Sequence, residues 1–353
     1  MRSATDRPAG TGLYRSLRVA SFAALVLLAA PAVVAAGDDA PDRAELQARK
    51  GQHTAPVTPF VIDVDLRDLP APPAWRPGDP TREIPRRRYA APGTVLPAPL
   101  ELPDPLLELQ AAYTPARRDP QSVTIQTRNF AGIAYTGASP PDTVGDVGPD
   151  HVIQATNGGG TLVRIWDKGE PTPTQLASFQ LDSLGTGACA NGYGDPIVIY
   201  DRSADRWVLL EFSGSGNDLC VYVSQTPDPV SGGWYAYSFV PPSFPDYPKL
   251  AVWPTDANGG AGSYVVTANA NVAVYAMERG PMLAGEAAGF QIFNLPGLPG
   301  FAFEAVTPAD IDGPDAPPAT APALLMRHRD TEVHGGVADG DLLEMWAFDV
   351  DWA

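Results

Sequence analysis

The chain has 353 residues, a formal net charge of −17 and 39 prolines. An acidic protein is repelled by phosphate backbones and by anionic lipid headgroups, so this composition argues against nucleic-acid binding. It remains compatible with high solubility and with the binding of divalent cations.

The N-terminus has the order of a secretory signal peptide. Four arginines, the last of them Arg18, precede an apolar run that ends at Val34-Ala35-Ala36. Short side chains at this point suit signal peptidase. A spanning helix needs about 20 apolar residues, and this run is shorter and contains Pro31. We expect a signal peptide at residues 1–36, no membrane span in the mature chain, and a secreted or extracellular protein, with the periplasm as the alternative.

The next segment, residues 37–121, is rich in proline. Proline fixes φ and removes a backbone donor, so an extended strap or linker is predicted. Within it, Phe60–Leu66 alternates apolar and polar residues and is a candidate strand that docks on the edge of the following domain. The basic cluster Arg86–Arg88 is interpreted as a solvated turn rather than a processing site.

Residues 122–353 consist of short apolar runs separated by Gly, Pro, Asn and Asp, which is typical of an all-β domain. Acidic residues recur before apolar runs at Asp146, Asp195, Asp246 and Asp310. A period near about 50 residues suits a four-stranded propeller blade. The sequence predicts a partial β-propeller, truncated or open, of three to four blade-like repeats. Unpaired strand edges are avoided in folded proteins. We therefore expect that the chain is a fragment or closes by oligomerising.

The two cysteines, Cys189 and Cys220, lie in this domain. Export takes them to an oxidising compartment, where an even number of cysteines favours a disulfide. The alternative is a metal-binding pair, but no CxxC motif or nearby histidine accompanies them.

Three segments carry a family resemblance. They are Pro140-Pro141-Asp142-Thr143-Val144-Gly145-Asp146, Gly194-Asp195-Pro196 with Ala204-Asp205-Arg206-Trp207, and Phe244-Pro245-Asp246-Tyr247-Pro248-Lys249-Leu250. They resemble motifs of large exported bacterial proteins of sialidase-like or β-propeller type, most of undefined activity. The resemblance covers most of the mature chain and implies a fold more than a chemistry.

Asp142, Asp146 and Asp150, with Asn157 nearby, are the candidate metal ligands. They lie in a glycine-containing loop, and oxygen ligands that converge from such a loop suit calcium. Their spacing differs from that of an EF-hand. The alternative is a turn whose aspartates cap backbone donors.

A second candidate site combines Asp195, Asp246, Asp310 and Asp312 with Lys249. If each aspartate begins the innermost strand of its blade, these residues converge at one end of the channel. Paired carboxylates there would serve as acid and base or nucleophile in glycoside hydrolysis, and Asp-Pro at the start of a blade is similar to the placement in propeller glycosidases. The alternative is that each aspartate caps a turn, because a structural role repeats more readily than a catalytic one.

A third group contains further candidate ligand-binding residues, Arg327, Arg329 and His334. In sialidase-like sites arginines hold a ligand carboxylate, and histidines bind metal or transfer protons. The alternative is a charged loop between two strands.

No HExxH, P-loop, G-x-S-x-G or dinucleotide motif is present. The sequence favours a secreted binding or surface-interaction module whose partner is a glycan or a surface protein, with calcium as the expected stabilising ion. Two alternatives are a glycan-active hydrolase of sialidase or glycosidase type and a purely structural surface or adhesion component.

Overall fold

The computed structural model describes residues 51–83, 129–269, 272–298, 306–329 and 341–352. The predicted signal peptide, the Arg86–Arg88 cluster and His334 lie outside these residues. All described residues belong to one unit, Lys50–Ala353. No helix within the described ranges is both long and apolar enough to cross a membrane.

The described residues form an all-β fold. Their strands are β1 (Gln52–His53), β2 (Phe60–Ile62), β3 (Arg82–Glu83), β4 (Ala138–Ser139), β5 (Val144–Val147), β6 (His151–Asn157), β7 (Thr161–Asp167), β8 (Gln175–Gln180), β9 (Gly192–Asp201), β10 (Arg206–Ser213), β11 (Leu219–Ser224), β12 (Trp234–Phe239), β13 (Lys249–Trp253), β14 (Ser263–Ala268), β15 (Ala273–Glu278), β16 (Phe290–Asn294), β17 (Thr307–Pro308), β18 (Ala323–Arg329) and β19 (Leu342–Phe348). The helical segments among these residues are short: α1 (Arg279–Ala284) and three 3-10 helices (Leu66–Asp68, Leu181–Leu184 and Gly187–Ala190).

Within the described part of the chain, four antiparallel meanders follow one another. The first contains β5 to β8, the second β9 to β12, the third β13 to β16 and the fourth β17 to β19. Each meander pairs strands that are consecutive in sequence, as expected for blades joined by short turns. The prediction of an all-β, propeller-like chain with three to four blade-like repeats is therefore confirmed, and the fourth repeat has three strands among the described residues.

Strands from the proline-rich segment extend two of these sheets. Strand β2 pairs with β12, with Ile62 opposite Trp234, and β1 pairs with β16, with Gln52 opposite Ile292. Added strands protect sheet edges that would otherwise present unpaired backbone groups. The expected strand at Phe60–Leu66 is present but shorter, because a 3-10 helix begins at Leu66, whose side chain is buried.

Three hydrophobic clusters lie between successive sheets, and the second sheet contributes to two of them. On β10, Trp207 and Leu209 pack toward the first sheet, whereas Val208 and Leu210 pack toward the third. Side chains alternate across a strand, so a strand buried on both faces has a continuous apolar sequence. This accounts for the unbroken apolar runs of β10 and β11.

A disulfide joins Cys189, in a 3-10 helix, to Cys220 on β11, with a Cα–Cα distance of 5.6 Å. The predicted pairing is confirmed. It fixes the segment before β9 to the third strand of the second sheet.

The fourth sheet differs from the others because one of its faces is exposed. Leu325 of β18 is buried against the third sheet, whereas Leu324 and Met326 on the same strand are exposed, as are Leu343 and Met345 of β19. No other sheet among the described residues covers this apolar face.

Candidate functional site

An open cavity of about 530 Å³ lies where the first strands of successive sheets approach one another. We call it the channel-mouth cavity. Its wall includes parts of β5, β9 and β13 and the segment after β17. Its charged residues are Asp142, Asp146, Asp195, Lys249, Asp310 and Asp312. The cavity is therefore lined by five carboxyl groups and one ammonium group.

Two of these aspartates bind the backbone of a neighbouring sheet. Asp146 Oδ2 accepts a hydrogen bond of 2.7 Å from the backbone amide of Tyr200 on β9. Asp310 Oδ1 accepts one of the same length from the amide of Val252 on β13. Each carboxylate therefore joins two sheets at the cavity wall.

Asp142 and Asp195 are joined through Asn157, whose side chain is buried. The Asn157 amide nitrogen donates to Asp142 Oδ2 at 2.8 Å, and its oxygen accepts from the Asp195 backbone amide at 2.8 Å. Gly194 has a φ of 129°, and a Cβ at this position would clash with the Asn157 side-chain oxygen. Only glycine allows this approach, so the local sequence holds Asp195 at the end of the Asn157 side chain.

The Asp195 carboxyl binds its proton unusually tightly. Burial, followed by its hydrogen bond with Asp142 and the negative charges of Asp142 and Asp246, raises the pKa of Asp195 to about 7. A carboxyl group next to a second carboxylate is harder to ionise, because two neighbouring negative charges repel. Near neutral pH the Asp195 carboxyl group can therefore either donate a hydrogen bond or accept one.

Lys249 and Tyr247 form the remaining polar wall. The Lys249 ammonium lies 3.4 Å from the centroid of the Tyr247 ring and donates to the Pro248 carbonyl at 3.1 Å. Burial lowers the pKa of Lys249, while the carboxylates of Asp195 and Asp142 act in the opposite direction. Tyr247 lines the cavity and is 42% exposed, and the Lys249 ammonium covers one face of its ring.

The predicted metal ligands do not all lie together. Asp142 and Asp146 line the channel-mouth cavity, but Asp150 does not. Instead, the Asp150 backbone carbonyl accepts from Lys168. The part of the chain that the structure describes contains no group of three or more His, Cys, Asp or Glu side chains arranged to hold a metal ion.

The residues of the second predicted site also divide into those that line the cavity and one that does not. Asp195, Asp310, Asp312 and Lys249 line one cavity, whereas Asp246 acts on it through its charge and is not part of the wall. The sequence interpretation missed Tyr247 as a wall residue. The available signal was its position between two members of the predicted group, directly before Pro248 and Lys249.

Arg327 and Arg329 lie on β18 of the fourth sheet, where both are paired with Glu344. The Arg327 Nε and Nη2 atoms donate to Glu344 Oε2 at 2.8 and 2.6 Å, and its Nη1 donates to the Pro296 carbonyl. Arg329 Nη1 lies 3.7 Å from Glu344 Oε1. Arg327 and Glu344 are opposite each other on β18 and β19, so both arginines belong to an ion-pair group within the fourth sheet. Neither lines the channel-mouth cavity.

The similarity of the chain to known proteins is low. No protein-family model matches the chain, and no curated protein matches it. A solved structure to which the chain is similar is a GH43 endo-arabinanase from Bacillus licheniformis, at 15% identity and a TM-score of 0.32. The match covers 54% of this chain and 65% of that structure.

Proposed function

We propose that the protein is a secreted binding module whose channel-mouth cavity takes a neutral, polyhydroxylated ligand such as a glycan. One observation carries the proposal: carboxyl groups from successive sheets converge on a single cavity beside the partly exposed Tyr247 ring. The signal peptide expected from the sequence and the disulfide between Cys189 and Cys220 support export.

The chemistry of the wall suits hydroxyl groups. Carboxylates accept charge-assisted hydrogen bonds, which are stronger than those between neutral groups. An aromatic ring offers an apolar face for the C–H side of a sugar. The volume of about 530 Å³ also lies within the range of roughly 300–1,000 Å³ that is usual for small-molecule sites.

The charge of the cavity selects against acidic ligands. Five carboxyl groups and one ammonium group line it, and a ligand carboxylate would be repelled. A sialidase-type site would need arginines to hold such a carboxylate. Here Arg327 and Arg329 are paired with Glu344 in the fourth sheet. We therefore infer a neutral glycan rather than a sialylated one.

A binding screen tests this proposal. Neutral and sialylated oligosaccharides would be titrated into the mature protein by calorimetry, alongside Asp195→Asn, Tyr247→Ala and the control Asp150→Asn, which carries the same change outside the cavity. We expect binding of a neutral oligosaccharide that both cavity variants weaken and the control retains. Binding confined to sialylated ligands, or equal binding by all variants, would contradict the proposal.

A second candidate function is glycoside hydrolysis, and the pKa of Asp195 favours it. A carboxyl group with a pKa of about 7 is suited to protonate a leaving-group oxygen near neutral pH. Hydrolysis also requires a second carboxylate roughly 5–9.5 Å away, and Asp310 and Asp312 line the same cavity.

Kinetics separate the two functions. If the site is catalytic, Asp195→Asn strongly slows hydrolysis of oligosaccharides, whose sugar leaving group must be protonated, but keeps the binding of the intact substrate. If it is a binding site only, the unmodified protein hydrolyses none of the oligosaccharides that it binds.

A further inference from the structure

We propose that a calcium ion binds inside the interface between the first and second sheets, ligated by Glu211 and Asp182 with neutral oxygens from Thr161 and Tyr222. This site is separate from the channel-mouth cavity and from the loop of Asp142, Asp146 and Asp150. It is independent of the function proposed above.

The central group is the Glu211 carboxylate on β10. Its residue has no exposed surface, and neither carboxylate oxygen has a hydrogen-bond partner among the described residues. Glu211 lies opposite Cys220 on β11 and therefore points to the same side of the sheet as Leu209 and Tyr222. That side forms the apolar core against the first sheet.

Two further buried oxygens lie in this region. The hydroxyl groups of Thr161 on β7 and Tyr222 on β11 make no hydrogen bond of normal geometry within the described residues. Thr161 nevertheless lies within reach of Glu211, because hydrogen bonding from Thr161 opposes the rise in the pKa of Glu211, and Tyr222 is close enough to Glu211 to respond to its charge. One interface therefore contains a buried carboxylate and two hydroxyl groups that make no hydrogen bond of normal geometry within the described residues.

Asp182 supplies a second carboxylate next to Glu211. Its Oδ2 accepts from the Gly192 backbone amide at 3.3 Å. The Glu211 carboxylate lies directly over the same glycine, where a Cβ would clash with both of its oxygens. Gly192 therefore has one carboxylate at its amide and the other against its Cα. Asp182 is only partly buried, which leaves an approach from solvent.

The protein provides little positive charge at this place. Arg82 lowers the pKa of Glu211, but its guanidinium donates to the carbonyls of Gly158 and Tyr193 and lies over the Tyr193 ring. Burial and the charge of Asp182 raise the pKa of Glu211 well above its ordinary value of 4.5. An unpaired buried carboxylate is costly unless a proton or a cation balances its charge.

The donor set favours calcium among the available cations. All the groups are oxygens, and two of them are carboxylates, as in protein calcium sites. Magnesium demands a strict octahedral shell and retains its waters, which suits a buried site less well. The rival occupant is a single proton on Glu211.

Calcium titration of the metal-stripped mature protein tests the proposal. We expect one calcium ion per chain by calorimetry, a higher melting temperature with calcium than with chelator, and terbium luminescence sensitised through Tyr222. Glu211→Gln should abolish all three responses. Asp142→Asn in the channel-mouth cavity, a carboxylate-to-amide change of the same kind, should retain them.

Three outcomes would overturn the inference. They are an unchanged melting temperature of the unmodified protein in millimolar calcium, a calcium response that survives in Glu211→Gln, and a response lost only in Asp142→Asn. If Glu211→Gln does not fold, Thr161→Val serves instead, with calcium affinity reduced about tenfold. An unchanged affinity in Thr161→Val would contradict the proposed ligand set.

Discussion

Two buried carboxylates lie in successive sheet interfaces and differ sharply in their hydrogen-bond partners. Asp201, between the second and third sheets, accepts from Arg279 Nε at 2.6 Å, from Arg279 Nη2 at 3.0 Å and from the Tyr264 hydroxyl at 2.9 Å. Glu211, between the first and second sheets, has no hydrogen-bond partner within the described residues. Both residues are almost completely buried.

The difference shows what each interface requires from outside the chain. At Asp201 the balancing charge comes from α1, where Arg279 also donates to Ser203 and to the Ala261 carbonyl. The interface is therefore satisfied by the protein alone. At Glu211 a proton or a cation must supply the balance. The predictions below test this contrast, from the largest expected effect to the smallest.

Removing the partner of Asp201 should have the largest effect. Arg279→Met leaves a buried carboxylate uncompensated, and we expect a loss of about 3–5 kcal/mol in the free energy of unfolding, measured by denaturant titration. The double variant Asp201→Leu/Arg279→Met should recover much of that loss, because it removes both charges. If Arg279→Met is as stable as the unmodified protein, Arg279 does not balance the charge of Asp201, and the contrast with Glu211 is lost.

Removing the disulfide should cause the second-largest loss of stability. Replacing Cys189 and Cys220 by serine frees the segment before β9 from β11, and we expect a loss of about 2–4 kcal/mol in unfolding free energy. Because Asp182 and Gly192 flank this segment, the variant should also weaken calcium binding while leaving glycan binding unchanged. Equal losses of both activities would indicate general unfolding rather than a local role.

Asp195 is a third carboxyl group to compare with Asp201 and Glu211, and it lies in the channel-mouth cavity, which is open to solvent. The pKa of Asp195 in the folded state, about 7, is above its ordinary value of 3.8, so the folded state binds this proton more tightly. Its contribution to stability is therefore present below pH 3.8 and is lost as the pH rises to about 7. Asp195→Asn should flatten this decline, which we expect to be on the order of 2 kcal/mol. Thermal melts from pH 4 to pH 8 measure it, and an identical profile in the variant would exclude Asp195 as the source.

The smallest expected effects concern two hydroxyl groups, those of Ser203 and Thr161. Ser203 donates to Asp201 and accepts from Arg279, so Ser203→Ala should cost about 1 kcal/mol in unfolding free energy. Thr161 makes no hydrogen bond of normal geometry within the described residues, although it acts on the pKa of Glu211, so Thr161→Val should cost less than Ser203→Ala in chelator and more when measured against the calcium-bound protein. A loss of similar size for both variants in chelator would show that Thr161 already has a partner within the protein.

Much of the fold follows from short-range patterns. The apolar runs of β10, β11 and β12, their turn residues and the recurring aspartates predicted blade-like meanders, and export chemistry predicted the Cys189–Cys220 bond. These features depend on a few neighbouring residues or on an even number of cysteines, both of which can be read directly from the chain. The strand at Phe60–Ile62 was also predicted by alternation, although its pairing with β12 was not specified.

Only the tertiary structure decided which polar groups meet. Arg327 was expected to hold a ligand, and instead it pairs with Glu344 on the neighbouring strand. Asp201 and Arg279 are 78 residues apart, and no local pattern links them. Glu211 lies within an apolar strand, where the sequence alone does not show whether a partner will be present. The sequence determined the repeating strands because backbone conformation and apolar periodicity are local. The balance of buried charge depends on which distant side chains the packed sheets bring together.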